Sequence, residues 1–234
     1  MRLSVIIPVH SEEDVLRDVV QGLVERTRPV LEQVLLVVSP HSTPRTLAIC
    51  EQLKRAHPCV AYVLQRQNPG LGRAYREAFP AVTGTHVAML DADGEMDLDT
   101  LPSMMRAAAQ GYDLVIASRW MPGSRVDHYD PVTYVLNRVF QCLFRLLFRT
   151  PVRDLTYGFK LFNARLLREV HWWGTLHEIA METTLKPLKL GYRVCEVPTL
   201  WRRRREGVSK SSVWKRLRYV PFAFRILLTT RRHL

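Results

Sequence analysis

The sequence predicts an α/β protein: a mostly parallel sheet flanked by helices, ending in a basic amphipathic segment. Three observations predict it. Four short apolar runs rich in β-branched residues recur within the first 95 residues. Between them the apolar positions fall at helical spacing, so strands alternate with helices and right-handed crossovers make the sheet parallel. The fourth run then breaks into carboxylates, Asp91, Asp93, Glu95 and Asp97, where such sheets collect their ligands beyond the strand ends.

The elements follow in order. "LSVIIPV" (3–9) reads as a buried strand, and "SEEDVLRDVVQGLVERT" (11–27) as a helix with Ser11 at its N-cap and Val15, Val19 and Leu23 on one face. "EQVLLVVS" (32–39) is a second strand. "TPRTLAICEQLKRAH" (43–57) is a helix with Pro44 in its first turn, and "VAYVLQR" (60–66) is a third strand. "GLGRAYREAFPAV" (70–82) is a glycine-rich entry into a helix, read either as a phosphate cradle or as a tight loop. "THVAMLDAD" (85–93) is the fourth strand. A helix (98–111), a strand (112–119), a loop (120–132) and an apolar helix studded with Arg138, Arg145 and Arg149 (134–150) come next. Residues 154–170 read as strand then helix, 177–192 as a helix ending near Gly191, and 193–201 as a strand.

With 234 residues and 47% apolar content, the chain suits one α/β domain with a short appendage, divided here at 1–205 and 206–234. Net charge is +12, but residues 202–234 hold eleven Arg and Lys against the single acid Glu206, so the body is almost neutral. Such a tail calls for a polyanion. The four cysteines are scattered without a CxxC pair, the N-terminus lacks a signal-peptide pattern, and no run reaches the ~20 apolar residues of a membrane span. The expected setting is cytoplasmic. Arginines interleaved with Phe140, Phe144, Leu147 and Phe148, and the similar 219–234, fit helices lying in a membrane interface, so the expected place is peripheral at the cytoplasmic face. The other readings of these stretches are a core-facing helix and a dimer contact.

Asp-x-Asp-x-Glu offers hard oxygen ligands at alternate positions, which suits Mg²⁺ or Mn²⁺ held together with substrate phosphates. The expected metal ligands in this pattern are Asp91, Asp93 and Glu95; the other reading is a strand-end turn of solvated acids with no metal.

Six segments, in order, resemble the family 2 glycosyltransferases of the GT-A (Rossmann-like) fold, near the dolichyl- and polyprenyl-phosphate mannose synthases. They are "IIPVHSEE", "NPGLGRAYREAF", "DADGE", "IASRWMPG", "DLTYGFKLF" and "RREGVSK", and the likeness spans about residues 3–212. The resemblance implies that Pro8, His10 and Glu12 line the nucleotide pocket, with Asp91, Ala92 and Asp93 on the nucleotide-sugar and metal side. Ser39 stands where relatives carry a base-contacting Asp. Arg119 would face the phosphates. Arg204, Ser209 and Lys210 would close over the diphosphate or the acceptor phosphate, and Asn137 and Arg138 are the nearest match to an acceptor-phosphate pair.

The implied reaction is inverting transfer of a hexose, mannose foremost, from a GDP- or UDP-sugar to a polyprenyl phosphate. A phosphate monoester is mostly dianionic at neutral pH, so it needs screening and alignment rather than a base. The alternative is a UDP-sugar enzyme with a soluble hydroxyl acceptor, where Asp154 would be the catalytic base; its other reading is a structural turn aspartate. Nucleic-acid binding explains the charge and leaves the carboxylates unexplained, so no nucleic-acid partner is expected.

Overall fold

The computed structural model describes residues 1–127, 131–202 and 219–234. Strands β1 (Leu3–Val9), β2 (Leu31–Val38), β3 (Val60–Leu64) and β4 (His86–Met89) alternate with helices α1 (Asp14–Thr27), α2 (Pro44–Ala56) and α3 (Leu71–Ala78), as the sequence predicts. Then come α4 (Leu101–Ala109), β5 (Leu114–Ser118), the short β6 (Arg125–Val126) and α5 (Pro131–Phe148). The chain continues through β7 (Lys160–Asn163), α6 (Arg165–Glu169), α7 (Ile179–Leu190), β8 (Val194–Pro198), β9 (Leu200–Trp201) and α8 (Tyr219–Leu228).

Among the described residues the main sheet has seven strands in the order β3-β2-β1-β4-β7-β5-β8. Of these, β7 alone runs antiparallel, against both β4 and β5. The chain winds outward from β1 through β2 to β3, then returns to place β4 on the other side of β1. That reversal opens a crevice between the carboxyl ends of β1 and β4, the place where open α/β sheets bind ligands.

Both faces of the sheet are covered. One core joins Val5, Ile7, Val34, Leu36, Ala88 and Val115 to the apolar faces of α1, α2 and α4. The other joins Ile6, Leu35, Val87, Ile116 and Phe162 to α3, α6, α7 and α8. Strands buried on both faces read as continuous apolar runs instead of alternating ones, which is why they are legible in the sequence.

Several elements differ from expectation. Helix α1 starts at Asp14 with Glu13 at the cap, because the Glu12 carboxylate takes the His10 and Ser11 N–H groups and bends the chain before the helix begins. Strand β7 begins only at Lys160; Asp154–Phe159 is a loop ordered by side-chain hydrogen bonds. Inside the expected 120–132 loop, β6 pairs with β9.

Residues 219–234 contribute to the core. Ala223 and Ile226 of α8 and the terminal Leu234 are buried in the second core. Lys189 of α7 caps the end of α8, its Nζ donating to the carbonyls of Ile226, Leu227 and Thr229 at 2.5–2.8 Å. Among the described residues no helix is long and apolar enough to cross a membrane.

Candidate functional site

The carboxyl ends of β1, β2, β4 and β5, and the loop that leads into antiparallel β7, meet along one edge of the sheet. Pro8 lies near the end of β1, in register with Val37 of β2 and beyond the last β4 pairing. It has no N–H for the Leu90 carbonyl. The phenol of Tyr75, rising from α3, donates to that carbonyl instead at 3.4 Å. Tyr75 is fully buried, and its pKa is pushed well up, first by burial and then by the charges of Asp91 and Asp93. The two carboxylates therefore concentrate negative charge directly above a neutral phenol.

Asp91 is half-buried and Asp93 buried, with Ala92 buried between them. Asp93 Oδ1 accepts the Glu95 N–H at 3.0 Å, which folds the acidic loop back on itself. Glu95 is turned toward the neighbouring segment: its Oε2 accepts from Trp201 Nε1 at 3.2 Å and its carbonyl accepts from the Arg202 N–H. Among the described residues no three His, Cys, Asp or Glu side chains converge into a metal cage. Of the three expected ligands, Asp91, Asp93 and Glu95, the side chain of Glu95 is the one also bonded to Trp201. The pair Asp91 and Asp93 fits the habit of Mg²⁺, which takes one or two protein carboxylates and completes its shell from phosphates and water.

On the β1 and β2 side, Glu12 is occupied with backbone N–H groups and shapes the loop carrying His10. Ser39 is buried at the end of β2. Its hydroxyl accepts from the His41 N–H and from Asn68 Nδ2, both at 3.2 Å. Asn68 also donates to Gln65 Oε1 at 2.8 Å, so a Ser39–Asn68–Gln65 network floors this side of the crevice. Asn68 and Gln65 were not among the expected site residues; only the family-like "NPGLG" segment hints at the former.

The glycines of that segment serve close packing. A Cβ on Gly70 would meet the Thr175 carbonyl at 2.2 Å and one on Gly72 the Gly174 carbonyl at 2.5 Å. Thr175 O accepts the Arg73 N–H at 3.1 Å, so the start of α3 is spent on protein. This packing fits the tight-loop reading.

Arg119 follows β5 and makes the most constrained contact of the site. Its Nε and Nη2 donate to Asp154 Oδ2 and Oδ1 at 2.8 and 2.9 Å, and its backbone N–H adds a third bond at 3.1 Å. Asp154 is 0% exposed and the Arg119 side chain 10%. Asp154 Oδ1 also accepts the Thr156 and Tyr157 N–H groups, an Asx turn that orders the loop. Burial alone would raise the Asp154 pKa, but the Arg119 guanidinium and the N–H donors hold it below the usual carboxylate value. Behind the pair, Glu196 of β8 accepts the Arg153 and Asp154 N–H groups at 2.8 Å.

Aromatic rings surround Arg119. Its guanidinium carbon lies 4.6 Å from the centre of Tyr157 and 5.5 Å from that of Trp120. Arg138 of α5 lies 5.3 Å from the same Trp120 ring, so one indole joins the two arginines. Asn137 sits beside Arg138 on α5. Trp120, Tyr157 and Thr156, which fall inside the motif-like segments, and Gln141, which falls in none of them, complete this wall. Arg204, Ser209 and Lys210 lie outside the described residues; Arg202, the last described residue before them, pairs with Asp97 at 3.2 Å.

A parallel-dominated sheet with paired carboxylates at its switch point defines a GT-A-like protein. The profile of glycosyl transferase family 2 matches residues 4–171, and the chain belongs to that family. It is 29% identical over 218 residues to polyprenol monophosphomannose synthase from Mycolicibacterium smegmatis, covering 90% of this chain and 81% of that one. It is 27% identical over 218 residues to undecaprenyl-phosphate mannosyltransferase from Micrococcus luteus, covering 91% and 88%. Glucosyl-3-phosphoglycerate synthase from Mycobacterium tuberculosis shares the fold. Its complex with Mn²⁺, UDP and phosphoglyceric acid aligns with a TM-score of 0.73 over 97% of this chain and 77% of that one, at 15% identity. Its complex with Mg²⁺ and UDP aligns at 0.74, over 97% and 78%, also at 15% identity.

Proposed function

We propose that this family 2 glycosyltransferase transfers a hexose, mannose foremost, from a nucleotide-sugar to the phosphate of a polyprenyl lipid, with inversion at the anomeric carbon. The observation that carries the reading is the buried fork between Arg119 and Asp154, set at the strand ends beside Asp91 and Asp93. The names of the relatives, a polyprenol monophosphomannose synthase and an undecaprenyl-phosphate mannosyltransferase, support the acceptor and the sugar.

A phosphate acceptor is already a nucleophile near neutral pH. The difficulty is bringing it up to an anionic donor, and cations held in fixed orientation remove that difficulty without reorganising during the reaction. Arg119 is such a cation. Arg138, tied to it through Trp120, is a second. In this reading Asp154 is a positioning residue: its lowered pKa and its ring of N–H donors suit orienting Arg119, not taking a proton. That argues against the soluble-hydroxyl alternative, which needs a base. A Mg²⁺ or Mn²⁺ ion would be held by Asp91 and Asp93 and would neutralise the donor diphosphate.

An exposed apolar ridge supports a lipid acceptor. Val132, Val135, Leu136, Val139, Leu143 and Leu146 of α5 are exposed, Leu146 at 77%, and Leu228 of α8 is 79% exposed. Ridges of this size on a basic protein suit the interface of an anionic bilayer.

The test incubates the protein with Mg²⁺ or Mn²⁺, radiolabelled GDP- and UDP-hexoses and a polyprenyl phosphate. Label is expected in the organic phase, abolished by EDTA and by Asp93→Ala. Label that stays aqueous with every donor would overturn the lipid-phosphate reading.

A further inference from the structure

Gln141 is a buried amide in the middle of an apolar helix. Its Oε1 accepts the Leu155 N–H at 2.9 Å and its Nε2 donates to Thr156 Oγ1 at 3.0 Å. The Leu155 donor fixes which way round the amide sits, because only the oxygen accepts. Thr156 Oγ1 also accepts from Arg119 Nη2 at 3.2 Å. Two hydrogen bonds therefore run from α5 to the guanidinium that Asp154 holds.

The position of Gln141 on the helix is as informative as its bonds. At ~100° per residue, the six exposed apolar residues of α5 cluster on the side opposite Gln141. One helix thus presents an apolar ridge outward and a single buried amide inward, aimed at the loop that orders Arg119. Burying a polar side chain costs stability unless its bonds are made, and both ends of this amide are satisfied. A fully satisfied buried pair selects one geometry over its neighbours. The fork to Asp154 fixes the plane of the Arg119 guanidinium, and the bond from Nη2 to Thr156 fixes its tilt.

We propose that Gln141 is a positioning residue for the transfer, setting Arg119 through Thr156 so that acceptor-phosphate binding depends on how α5 is seated. The functional half of this rests on the reading of Arg119 as a cation for the acceptor phosphate. The structural half does not.

The test uses the full chain with Gln141→Leu, Gln141→Glu and Thr156→Val. The nearly isosteric Thr156→Val cuts the same link and serves where Gln141→Leu does not fold. The first readout is hydrogen exchange of the Arg119 Nε–H by NMR, assigned by its disappearance in Arg119→Lys; it needs no acceptor. The second is kinetics with nucleotide-hexose and polyprenyl phosphate varied separately. Loss of one net hydrogen bond should speed Nε–H exchange and raise the acceptor KM by about three- to tenfold, leaving the donor KM nearly unchanged. The double variant should be no worse than either single one, since both cut one path. Gln141→Glu, which still accepts from Leu155 and can accept the Thr156 O–H, should recover most of the acceptor KM. Unchanged Nε–H exchange overturns the proposal, as do equal losses toward donor and acceptor accompanied by a fall in Tm. If the wild-type chain labels no polyprenyl phosphate, the acceptor reading has failed, and exchange alone decides whether Gln141 positions Arg119.

Discussion

Lys160 stands at the start of β7, in register with Met89 and Ile116, and is fully buried. Its ammonium donates to the Ala180 carbonyl and to Thr183 Oγ1 on α7. Burial lowers its pKa from 10.5 to about 7; the Asp154 charge opposes that shift and Arg119 adds to it. Between pH 7 and 10.5 the unfolded chain binds a proton that the folded one does not, so this lysine makes stability rise with pH there and adds no slope below. Lys160→Met removes that slope. Its stability relative to wild type should therefore fall by ~1.4 kcal/mol per pH unit across the middle of that window. Urea unfolding at three pH values in the window checks this, and a constant difference between the two proteins would refute it. Nothing in "GFKLF" announces a buried lysine. Its burial follows from β7 inserting antiparallel between β4 and β5, a pairing of residues far apart in the chain.

Helix α5 carries the prediction at the scale of the element. Its inward face holds Gln141 and Phe144, and its outward face is the apolar ridge. Replacing Val139 and Leu143 together by Asp leaves the buried face alone and puts two charges on the ridge. Binding to vesicles containing anionic lipid should drop by about tenfold or more, since each buried CH₂ lost is worth ~0.8 kcal/mol. Sedimentation with vesicles measures it, with Tm as the control for folding. Unchanged sedimentation would mean that the ridge faces something other than lipid. The apolar, arginine-studded character of this helix is legible in the sequence. Which residues face outward is decided by where the Asp154–Tyr157 loop takes hold of Gln141.

At the scale of the whole molecule, the described part of the basic C-terminal region is packed into the domain. Residues 219–234 place Ala223, Ile226 and Leu234 in the core that also holds α7, and Lys189 closes the end of α8. Removing those residues strips buried side chains worth about 2–5 kcal/mol each for the larger ones, a large part of a domain's total stability of ~5–15 kcal/mol. A chain ending at residue 218 should melt at least about 10 °C lower or fail to fold. An unchanged melting curve would show that α8 is an appendage after all.

The sequence by itself determined the strands, the helices between them and the place of the carboxylates. Those are local properties: strands buried on both faces need unbroken apolar runs, helices need 3.6-residue periodicity, and a strand's carboxyl end is visible where apolar residues give way to acids. Asp91 and Asp93 could be picked out for that reason, and Arg119 and Asp154 through a likeness to known motifs. Tertiary structure alone decided the partners. Glu95 accepts from Trp201, Asp154 is closed around Arg119, and Thr156 and Gln141 enter the site by side-chain bonds between distant segments. The physical reason is that hydrogen bonds act over about 3 Å, whereas these residues are brought together only when the sheet orders its strands.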